Sequence, residues 1–290
     1  MQELVSVIIP TYKTNKSLKR AIDSVFAQSY KKVEVIVVDD NNCDEYRIVA
    51  ECIAEEYKNL DNFKYIQHEH NKNGSAARNT GVESSDGTYI SFLDDDDYYY
   101  TDKISKEVEL IKKTGCDFCV CFYHRNHFIH SFEVKEEYSK EVLYGHTTPQ
   151  TSSFLIKRTS YEKLGGFDES YFRHQDYELL LRAGEICSIC VVEEPLYELC
   201  DNGVVNVPNG KKMEMIKEKL LSDFDYLIRE KEYDKKEIIA KNYSSVAFAY
   251  LKSRKIKDFI RILFEKKSLK LYKYLLIRMY ESIRYRLRGY

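Results

Sequence analysis

Short apolar runs alternate with helical patterns over the first hundred residues, and this alternation restricts the fold more than any other feature. Four apolar runs have the length of a strand, namely residues 4–10, 33–40, 63–68 and 88–93. Helical spacing of apolar residues follows the first run, at Leu18, Ala21, Ile22, Val25 and Phe26. Strands that alternate with helices build βαβ units around a parallel sheet. The sequence therefore predicts an α/β domain.

Two acidic clusters follow directly after predicted strands. Asp39 and Asp40 end the second strand, and the run Asp94–Asp97 ends the fourth. The carboxyl ends of parallel strands share one edge of the sheet, where open α/β sheets bind their ligands. Four adjacent carboxylates also repel one another unless a cation compensates their charge. We therefore predict a single site at this edge, with a bound cation.

The acidic run fits Mg²⁺ or Mn²⁺ better than it fits other ligands. These ions use one or two carboxylates and complete their coordination with water and substrate phosphates. A calcium loop of the EF-hand type would alternate its acidic residues around a central glycine, unlike the sequence DDDDYYY. The chain contains no P-loop motif, and no G-x-G-x-x-G follows the first strand. We therefore predict a metal ion that bridges a diphosphate.

Five segments resemble, in order and spacing, the motifs of the GT-A glycosyltransferases of family 2. They lie between about residues 4 and 200 and read VSVIIPTYK, VEVIVVDDNNCD, NGSAARNTGV, GTYISFLDDDD and GGFDESYFRHQDYELLLR. The resemblance implies a GT-A domain over residues 1–205, Mn²⁺ or Mg²⁺, and inversion at the anomeric carbon. It also implies a nucleotide-sugar donor, with a UDP-sugar favoured. The expected acceptor is a hydroxyl of a glycan or of a lipid-linked glycan.

The resemblance further implies roles for individual residues. It assigns Asp96 to the metal and Asp176 to the general base that takes the proton of the acceptor hydroxyl. His174 and Gln175 would contact the acceptor or the diphosphate, although the family usually has glutamate where Gln175 stands. Asp40 would hydrogen-bond the nucleotide base. The full set expected to bind the donor nucleotide is Pro10, Thr11, Tyr12, Asp39, Asp40, Gly74, Arg78, Asp94 and Asp95.

Two other functions fit part of the pattern. A sugar nucleotidyltransferase has a similar fold, but it should carry a glycine-rich loop after the first strand, and PTYKTNKSLKR contains no glycine. A catalytically degenerate module could bind glycan or membrane without turnover, but it would not need both Asp96 and Asp176. A simpler role for Asp176 is to cap the helix that follows it. We favour the transferase because the chain has both carboxylates.

The end of the chain is basic, although the whole chain has a net charge of -2. Residues 251–290 contain 13 Lys or Arg and 3 Asp or Glu, which gives a net charge of +10. We predict that residues 206–290 are helical, and apolar stripes run along their last segments. The stripes comprise Ile256, Phe259, Ile260, Leu263, Tyr272, Leu275, Leu276, Met279 and Ile283.

Three partners of these stripes are open from the sequence. They could pack inside the protein, join subunits of a homo-oligomer, or lie on an anionic membrane surface. We expect no nucleic-acid partner. A cytoplasmic enzyme with peripheral contact at the inner face of the cell membrane would combine the basic helices with a lipid-linked acceptor.

The eight cysteines include two groups with short spacing. Cys116, Cys119 and Cys121 lie within one apolar run, and Cys187 and Cys190 form a C-x-x-C pair. A zinc site is one interpretation of this spacing. Buried strand positions are the other, and in a reducing interior we expect free core thiols.

Overall fold

The computed structural model describes residues 2–132, 138–145, 149–200 and 209–287. They belong to two compact units, of which the first comprises residues 1–138 and 147–203 and the second comprises 139–146 and 204–290. The predicted domain boundary at 205/206 lies outside the described residues. No sequence pattern indicated that 139–146 joins the second unit. Contacts within that unit account for it, such as the 2.8 Å hydrogen bond from Asn242 Nδ2 to the Leu143 carbonyl.

A mixed β-sheet forms the centre of the first unit. Its strands are β1 (Val5–Thr11), β2 (Val33–Asp39), β3 (Phe63–Gln67), β4 (Tyr89–Phe92), β5 (Tyr98–Tyr99), β6 (Phe118–Arg125), β7 (Phe128–His130), β8 (Leu155–Lys157) and β9 (Ile189–Glu198). Across the sheet the order is β3-β2-β1-β4-β8-β6-β9-β5, and β7 pairs with β6.

Helices connect the strands of the first unit and make up most of the second. They are α1 (Ser17–Phe26), α2 (Asp44–Glu55), α3 (Gly74–Glu83), α4 (Lys103–Thr114), α5 (Tyr138–Leu143), α6 (Arg158–Leu164), α7 (Gln175–Ile186), α8 (Gly210–Asp223), α9 (Asp225–Glu230), α10 (Lys235–Lys252), α11 (Ile256–Glu265) and α12 (Leu269–Leu287). A short 3-10 helix, Thr151–Ser153, precedes β8.

The first four strands form the parallel sheet that the sequence predicts. β1 pairs in parallel with β2 and β4, and β2 pairs in parallel with β3. β1 and β2 are apolar along almost their whole length because both faces of the sheet are buried. Gly81 lets α3 approach closely, since a Cβ there would lie 2.3 Å from Cγ2 of Ile8 in β1.

The rest of the sheet is mixed, which the less regular pattern after residue 115 does not reveal. β8 runs antiparallel to both β4 and β6, so β6 has the direction of β4. The carboxyl ends of β1, β2, β4 and β6 therefore share one edge. Both acidic clusters lie at this edge, as the sequence predicts.

The second unit has its own apolar core around α10. The prediction of a helical region after Pro208 is confirmed for residues 209–287. None of the described helices combines the length and hydrophobicity that a membrane span requires. The buried core residues of the unit are Ala240, Tyr243, Val246, Ala247, Tyr250, Ile262, Leu271 and Leu275.

The expectation of free cysteine thiols is wrong for one pair. Cys116 and Cys190 form a disulfide, because β6 and β9 lie side by side and bring together residues 74 positions apart. Cys119 and Cys121 are buried free thiols, whereas Cys43 is exposed. Among the described residues, no three His, Cys, Asp or Glu side chains are grouped so that they could hold a metal ion, so the zinc interpretation has no ligand set there.

Candidate active site

The end of β2 connects the site to the loop after β1. Asp39 is fully buried, and its carboxylate accepts hydrogen bonds from the backbone N–H and the Nδ2 of Asn41, at 2.8 and 2.7 Å. The hydroxyl of Tyr65 donates a third, at 2.6 Å. Asn41 in turn accepts from the backbone N–H of Lys13 at 2.6 Å. A carboxylate has about four acceptor positions, so Asp39 can accept one further hydrogen bond.

Asp40 is buried and uses all of its acceptor positions within the protein. Its Oδ1 accepts from His68 Nδ1 at 2.8 Å and from the Lys72 backbone N–H at 2.7 Å. Its Oδ2 accepts from Asn71 Nδ2 at 2.7 Å and from the Asn73 backbone N–H at 3.0 Å. Asp40 therefore shapes the segment 68–73 that leads into α3. The base contact expected of Asp40 stays a prediction, and the same holds for Asp39, which has one more acceptor position to offer but is equally buried.

The first turn of α3 packs against the first turn of α7. Asn73 has a positive φ of 83°, and its side chain accepts from the backbone N–H groups of Ser75 and Ala76. The next position leaves little room for a side chain. A Cβ at Gly74 would lie 3.0 Å from Arg78 Nη1 and 3.3 Å from Gln175 Oε1.

Arg78 joins three of the predicted site segments. Its Nη1 donates to Gln175 Oε1 at 2.7 Å, and its Nη2 donates to Asp94 Oδ1 at 2.5 Å. Its guanidinium also lies 5.5 Å from the centre of the Phe167 ring. The side chain is almost completely buried, so these interactions hold it in one orientation. Three residues expected at the donor from sequence, Gly74, Arg78 and Asp94, are thus brought together with Gln175, which was expected to contact the acceptor or the diphosphate.

The four consecutive aspartates have four different environments. Asp95 accepts a hydrogen bond from Thr11 Oγ1, and burial raises the pKa of its carboxyl to about 7. Asp97 is buried and accepts from Ser152 Oγ at 2.6 Å and from the Cys200 backbone N–H at 3.0 Å. Burial also raises the pKa of Asp97 well above its usual range. Asp97 therefore fixes the acidic loop to Ser152 and Cys200 inside the protein.

Asp96 lies on the more accessible side of the same loop. It is partly exposed, and its carbonyl accepts a 2.5 Å hydrogen bond from Arg20 Nη2. The guanidinium of Arg20 also lies 5.0 Å from the centre of the Tyr98 ring. Arg20 thus holds the backbone at the residue predicted to bind the metal.

The acidic loop fits a hard divalent cation. Its carboxylates are oxygen donors, and the negative charges of Asp94 and Asp96 contribute to the raised pKa values of Asp95 and Asp97. A cation at this loop would offset that repulsion. Since the described residues offer no group of three ligating side chains, phosphate oxygens and water would have to complete the coordination.

Asp176 lies in the first turn of α7, two residues after His174, whose φ is 59°. Desolvation raises the pKa of the Asp176 carboxyl to about 6, although backbone N–H groups and the charge of Arg78 act in the opposite direction. A carboxyl with this pKa is ionised at neutral pH and remains basic enough to accept a proton. His174 stacks on Tyr177 with ring centres 4.5 Å apart.

The first-strand residues of the predicted site are also at this edge. Thr11 ends β1, and its Oγ1 lies 2.7 Å from Oγ1 of Thr14. Pro10 precedes it in β1, and the Tyr12 side chain is exposed. The backbone N–H of Tyr12 donates to Asp95, so this loop contacts the acidic loop directly.

Sequence reasoning missed several residues of the site. Ser152 donates to Asp97 and accepts from the Asp94 backbone N–H at 3.1 Å. The pKa of Tyr123 in β6 is raised by burial and, in smaller part, by the charges of Asp176 and Asp97, so Tyr123 lies near enough to interact electrostatically with both carboxylates. No motif contains Ser152 or Tyr123, and only the strand order β4-β8-β6 in the sheet indicates them.

Two solved structures that hold a nucleotide sugar have a fold similar to that of this chain. The mannosyltransferase PcManGT from Pyrobaculum calidifontis, in complex with GDP-Man and Mn²⁺, has a TM-score of 0.59 at 17% identity, over 98% of this chain and 81% of that one. S. aureus TarS 1-349 in complex with UDP-GlcNAc has a TM-score of 0.58 at 17% identity, over 89% of this chain and 90% of that one. This similarity confirms the predicted GT-A fold.

The chain belongs to glycosyl transferase family 2, whose sequence model matches residues 6–178. The amylovoran biosynthesis glycosyltransferase AmsB of Erwinia amylovora is 32% identical over 205 residues, which are 66% of this chain and 67% of AmsB. An uncharacterized glycosyltransferase of Rickettsia prowazekii is 35% identical over 205 residues, but the match spans only 62% of its length. The glucosyltransferase WfaP of Escherichia coli is 28% identical over 186 residues, 62% of this chain and 69% of WfaP.

Proposed function

We propose that this protein transfers a sugar, with inversion, from a UDP-linked donor to a hydroxyl of a lipid-linked glycan. One structural observation supports this most strongly. Arg78 joins Asp94 to Gln175, and thereby holds the acidic loop next to the helix turn that carries Asp176. A site for a diphosphate and a carboxylate base would then lie at the same edge of the sheet.

The donor would bind across the ends of β1, β2 and β4. The carboxylate of Asp39 has one acceptor position that the protein does not use, which would suit an N–H of the nucleotide base once the donor reaches it, and the Tyr12 side chain is exposed in the loop after β1. Asp96 would hold Mn²⁺ or Mg²⁺ together with diphosphate oxygens, and the metal would neutralise the charge that develops on the leaving nucleoside diphosphate. The Mn²⁺ and GDP-Man in the PcManGT structure support a metal-dependent reaction.

In the proposed reaction, Asp176 accepts the proton of the acceptor hydroxyl. The acceptor oxygen forms a bond to the anomeric carbon while the bond from that carbon to the diphosphate oxygen breaks. The hydroxyl proton passes to the Asp176 carboxylate, which typically contributes ~10²–10⁴-fold to the rate. Because attack and departure occur on opposite faces of the sugar, the configuration inverts. The pKa of about 6 leaves Asp176 ionised at neutral pH, ready for this proton.

The named relatives support a glycan acceptor. AmsB is named for amylovoran biosynthesis, and WfaP is named as a UDP-Glc:alpha-D-GlcNAc-diphosphoundecaprenol beta-1,3-glucosyltransferase. S. aureus TarS has been solved with UDP-GlcNAc. We therefore propose a hexosyl or N-acetylhexosaminyl group as the transferred sugar and a polyprenyl diphosphate glycan as the acceptor.

A donor screen tests this function. Purified protein is mixed with UDP-glucose, UDP-GlcNAc or GDP-mannose, with Mn²⁺, Mg²⁺ or EDTA, and thermal unfolding is recorded. We expect one UDP-sugar to raise the melting temperature only with metal, since a ligand that binds the native state stabilises it. Failure of every nucleotide sugar to bind would contradict the proposal.

The selected donor is then incubated with a polyprenyl diphosphate-linked GlcNAc, and the new linkage is determined by NMR. An anomeric configuration opposite to that of the donor is expected. Retention of configuration would contradict the assignment of Asp176 as a base in a single displacement. Formation of a nucleotide sugar from nucleoside triphosphate and sugar 1-phosphate would favour the nucleotidyltransferase alternative.

A further inference from the structure

The C-terminal helices have apolar residues on two opposite faces. One face packs into the core of the second unit through Ile262 of α11 and Leu271 and Leu275 of α12. The other face, here called the C-terminal stripe, is exposed and comprises Ile256, Ile260, Phe264, Leu269, Tyr272, Leu276, Tyr280 and Ile283. The stripe predicted from sequence is therefore divided between packed core and exposed surface.

The spacing of the C-terminal stripe follows the period of a helix. On α11, Ile256, Ile260 and Phe264 are four residues apart, so they form one row. On α12, the stripe residues are three or four positions apart from Leu269 to Ile283, and Ile277, next to Leu276 in sequence, is exposed as well. The buried residues lie on the opposite side of each helix, so the exposed rows are not marginal parts of the core.

The turn between the two helices is the most exposed apolar part of the C-terminal stripe. Phe264 is 75% exposed and Leu269 is 87% exposed. Lys266 and Lys267 lie between them in sequence, and Lys267 is exposed as well. Large apolar side chains beside lysines at one turn are typical of segments that insert into the boundary between lipid headgroups and acyl chains.

Basic residues border the stripe along both helices. Arg261 and Lys270 are neutralised by ion pairs, Arg261 with Glu214 and Lys270 with Asp234 and Glu237. Other basic side chains are exposed, namely Arg254, Lys255, Lys257, Lys267, Lys273 and Arg284. The local charge is therefore strongly positive even after these ion pairs are taken into account.

We propose that the C-terminal stripe binds the surface of an anionic lipid bilayer, with α11 and α12 lying in the plane of the interface. Apolar side chains of the stripe would enter the acyl boundary, and the bordering lysines and arginines would contact anionic headgroups. Charge favours this partner over a second copy of the chain. Two copies meeting at this face would bring together two positively charged surfaces, which repel each other.

This inference is independent of the proposed donor and base, and it adds a location to the proposed acceptor. A lipid-linked acceptor lies at a membrane surface, so binding there would raise the local concentration of substrate. Loss of membrane binding should therefore leave donor binding unchanged, and loss of donor binding should leave membrane binding unchanged. The two proposals can fail separately.

Sedimentation with vesicles of phosphatidylcholine and phosphatidylglycerol tests the inference with the full chain. The wild type should pellet with the mixed vesicles at low salt, release at high salt because the charges are screened, and bind pure phosphatidylcholine much less. The double substitution Lys267→Glu and Lys273→Glu should weaken partition by at least roughly 25-fold, at about fivefold for each basic residue removed. Lys113→Glu, on the exposed face of α4, is the matched control and should bind as the wild type does.

The contribution of the apolar side chains to membrane binding is tested by Phe264→Ser and Leu276→Ser. Each substitution is expected to weaken partition into the vesicles about tenfold. Ile48→Ser, at an exposed position on α2, is the control. Circular dichroism confirms that each variant is folded. Equal binding by the wild type and the stripe variants would overturn the inference. It would also be overturned if the chain ignored vesicles and formed a dimer, measured by analytical ultracentrifugation, that the stripe variants disrupt.

Discussion

Nη1 of Arg78 donates a 2.7 Å hydrogen bond to Oε1 of Gln175, and so links the helix after β3 to the helix that carries the predicted base. The same guanidinium binds Asp94 at the end of β4. Gln175 stands where the family usually has glutamate. A neutral amide preserves this hydrogen bond but removes one negative charge from the region in which the diphosphate would bind.

Arg78→Lys should lower turnover by about 10²-fold, because one ammonium group cannot bind Gln175 and Asp94 in the planar geometry that the guanidinium provides. Initial rates over a range of donor concentrations separate kcat from KM. Arg229→Lys, at an exposed position on α9, is the control and should retain wild-type kinetics. Normal kinetics in Arg78→Lys would show that the bridge is not required.

Asp176→Asn keeps the shape of the side chain but removes its basicity. We expect kcat to fall by ~10²-fold or more while donor affinity stays within a few-fold of the wild type. Isothermal titration with UDP measures the affinity, and product formation measures kcat. Asp44→Asn, at an exposed position in α2, serves as the control. An Asp176→Asn enzyme with near-normal turnover would exclude Asp176 as the base.

The pH dependence of kcat/KM should reflect the ionisation of the Asp176 carboxyl. Since the pKa of Asp176 is raised to about 6, the active ionised form is lost as pH falls through about 6, so kcat/KM should decline below that pH and level off above it. The raised pKa also means that ionising Asp176 costs stability in the folded protein, a cost that grows as pH rises from the unfolded pKa to about 6 and is fully present above it. At pH 7, Asp176→Asn should therefore stabilise the protein, by about 1 kcal/mol given the partial exposure of the residue. Chemical denaturation of the wild type and of Asp176→Asn at pH 7 and pH 4 checks this. The extra stability of the variant should largely disappear at pH 4.

Adjacent aspartates in the acidic run should behave differently. Asp96→Ala should abolish metal-dependent UDP binding with little change in stability, since the residue is partly exposed. Asp97→Ala leaves the Ser152 hydroxyl and the Cys200 N–H without their acceptor, at a cost of about 1–3 kcal/mol in the free energy of unfolding. Calorimetry and a metal titration with UDP compare the two variants. If Asp96→Ala binds UDP and metal normally, the metal assignment is wrong.

Substitutions of the two aspartates at the end of β2 should also have different effects. Asp40→Ala removes four hydrogen bonds that shape residues 68–73, so the melting temperature should fall. Asp39→Asn keeps the shape of the side chain and should mainly weaken UDP binding. Thermal unfolding and UDP titration of both variants decide which residue contacts the base. A stable Asp40→Ala protein with weak UDP affinity would restore Asp40 to that role.

The sequence by itself determined the parallel half of the sheet and the position of the site. Apolar runs such as 33–40 can be buried on both faces only within a covered sheet, and the acidic residues that follow must then lie at its carboxyl edge. The helical character of residues 209–287 was equally readable, because apolar residues recur there at the helical period.

The tertiary structure alone decided the environment of each aspartate. Asp94–Asp97 are identical in local sequence chemistry, and their environments differ because Ser152, Cys200, Thr11 and Arg78 reach them from distant segments. The disulfide between Cys116 and Cys190 depends in the same way on the pairing of β6 with β9. The C-terminal apolar residues were visible in the sequence, but only helix packing decided which are core and which are surface. Hydrophobic periodicity is local, whereas hydrogen-bond partners and burial depend on residues far apart in the chain.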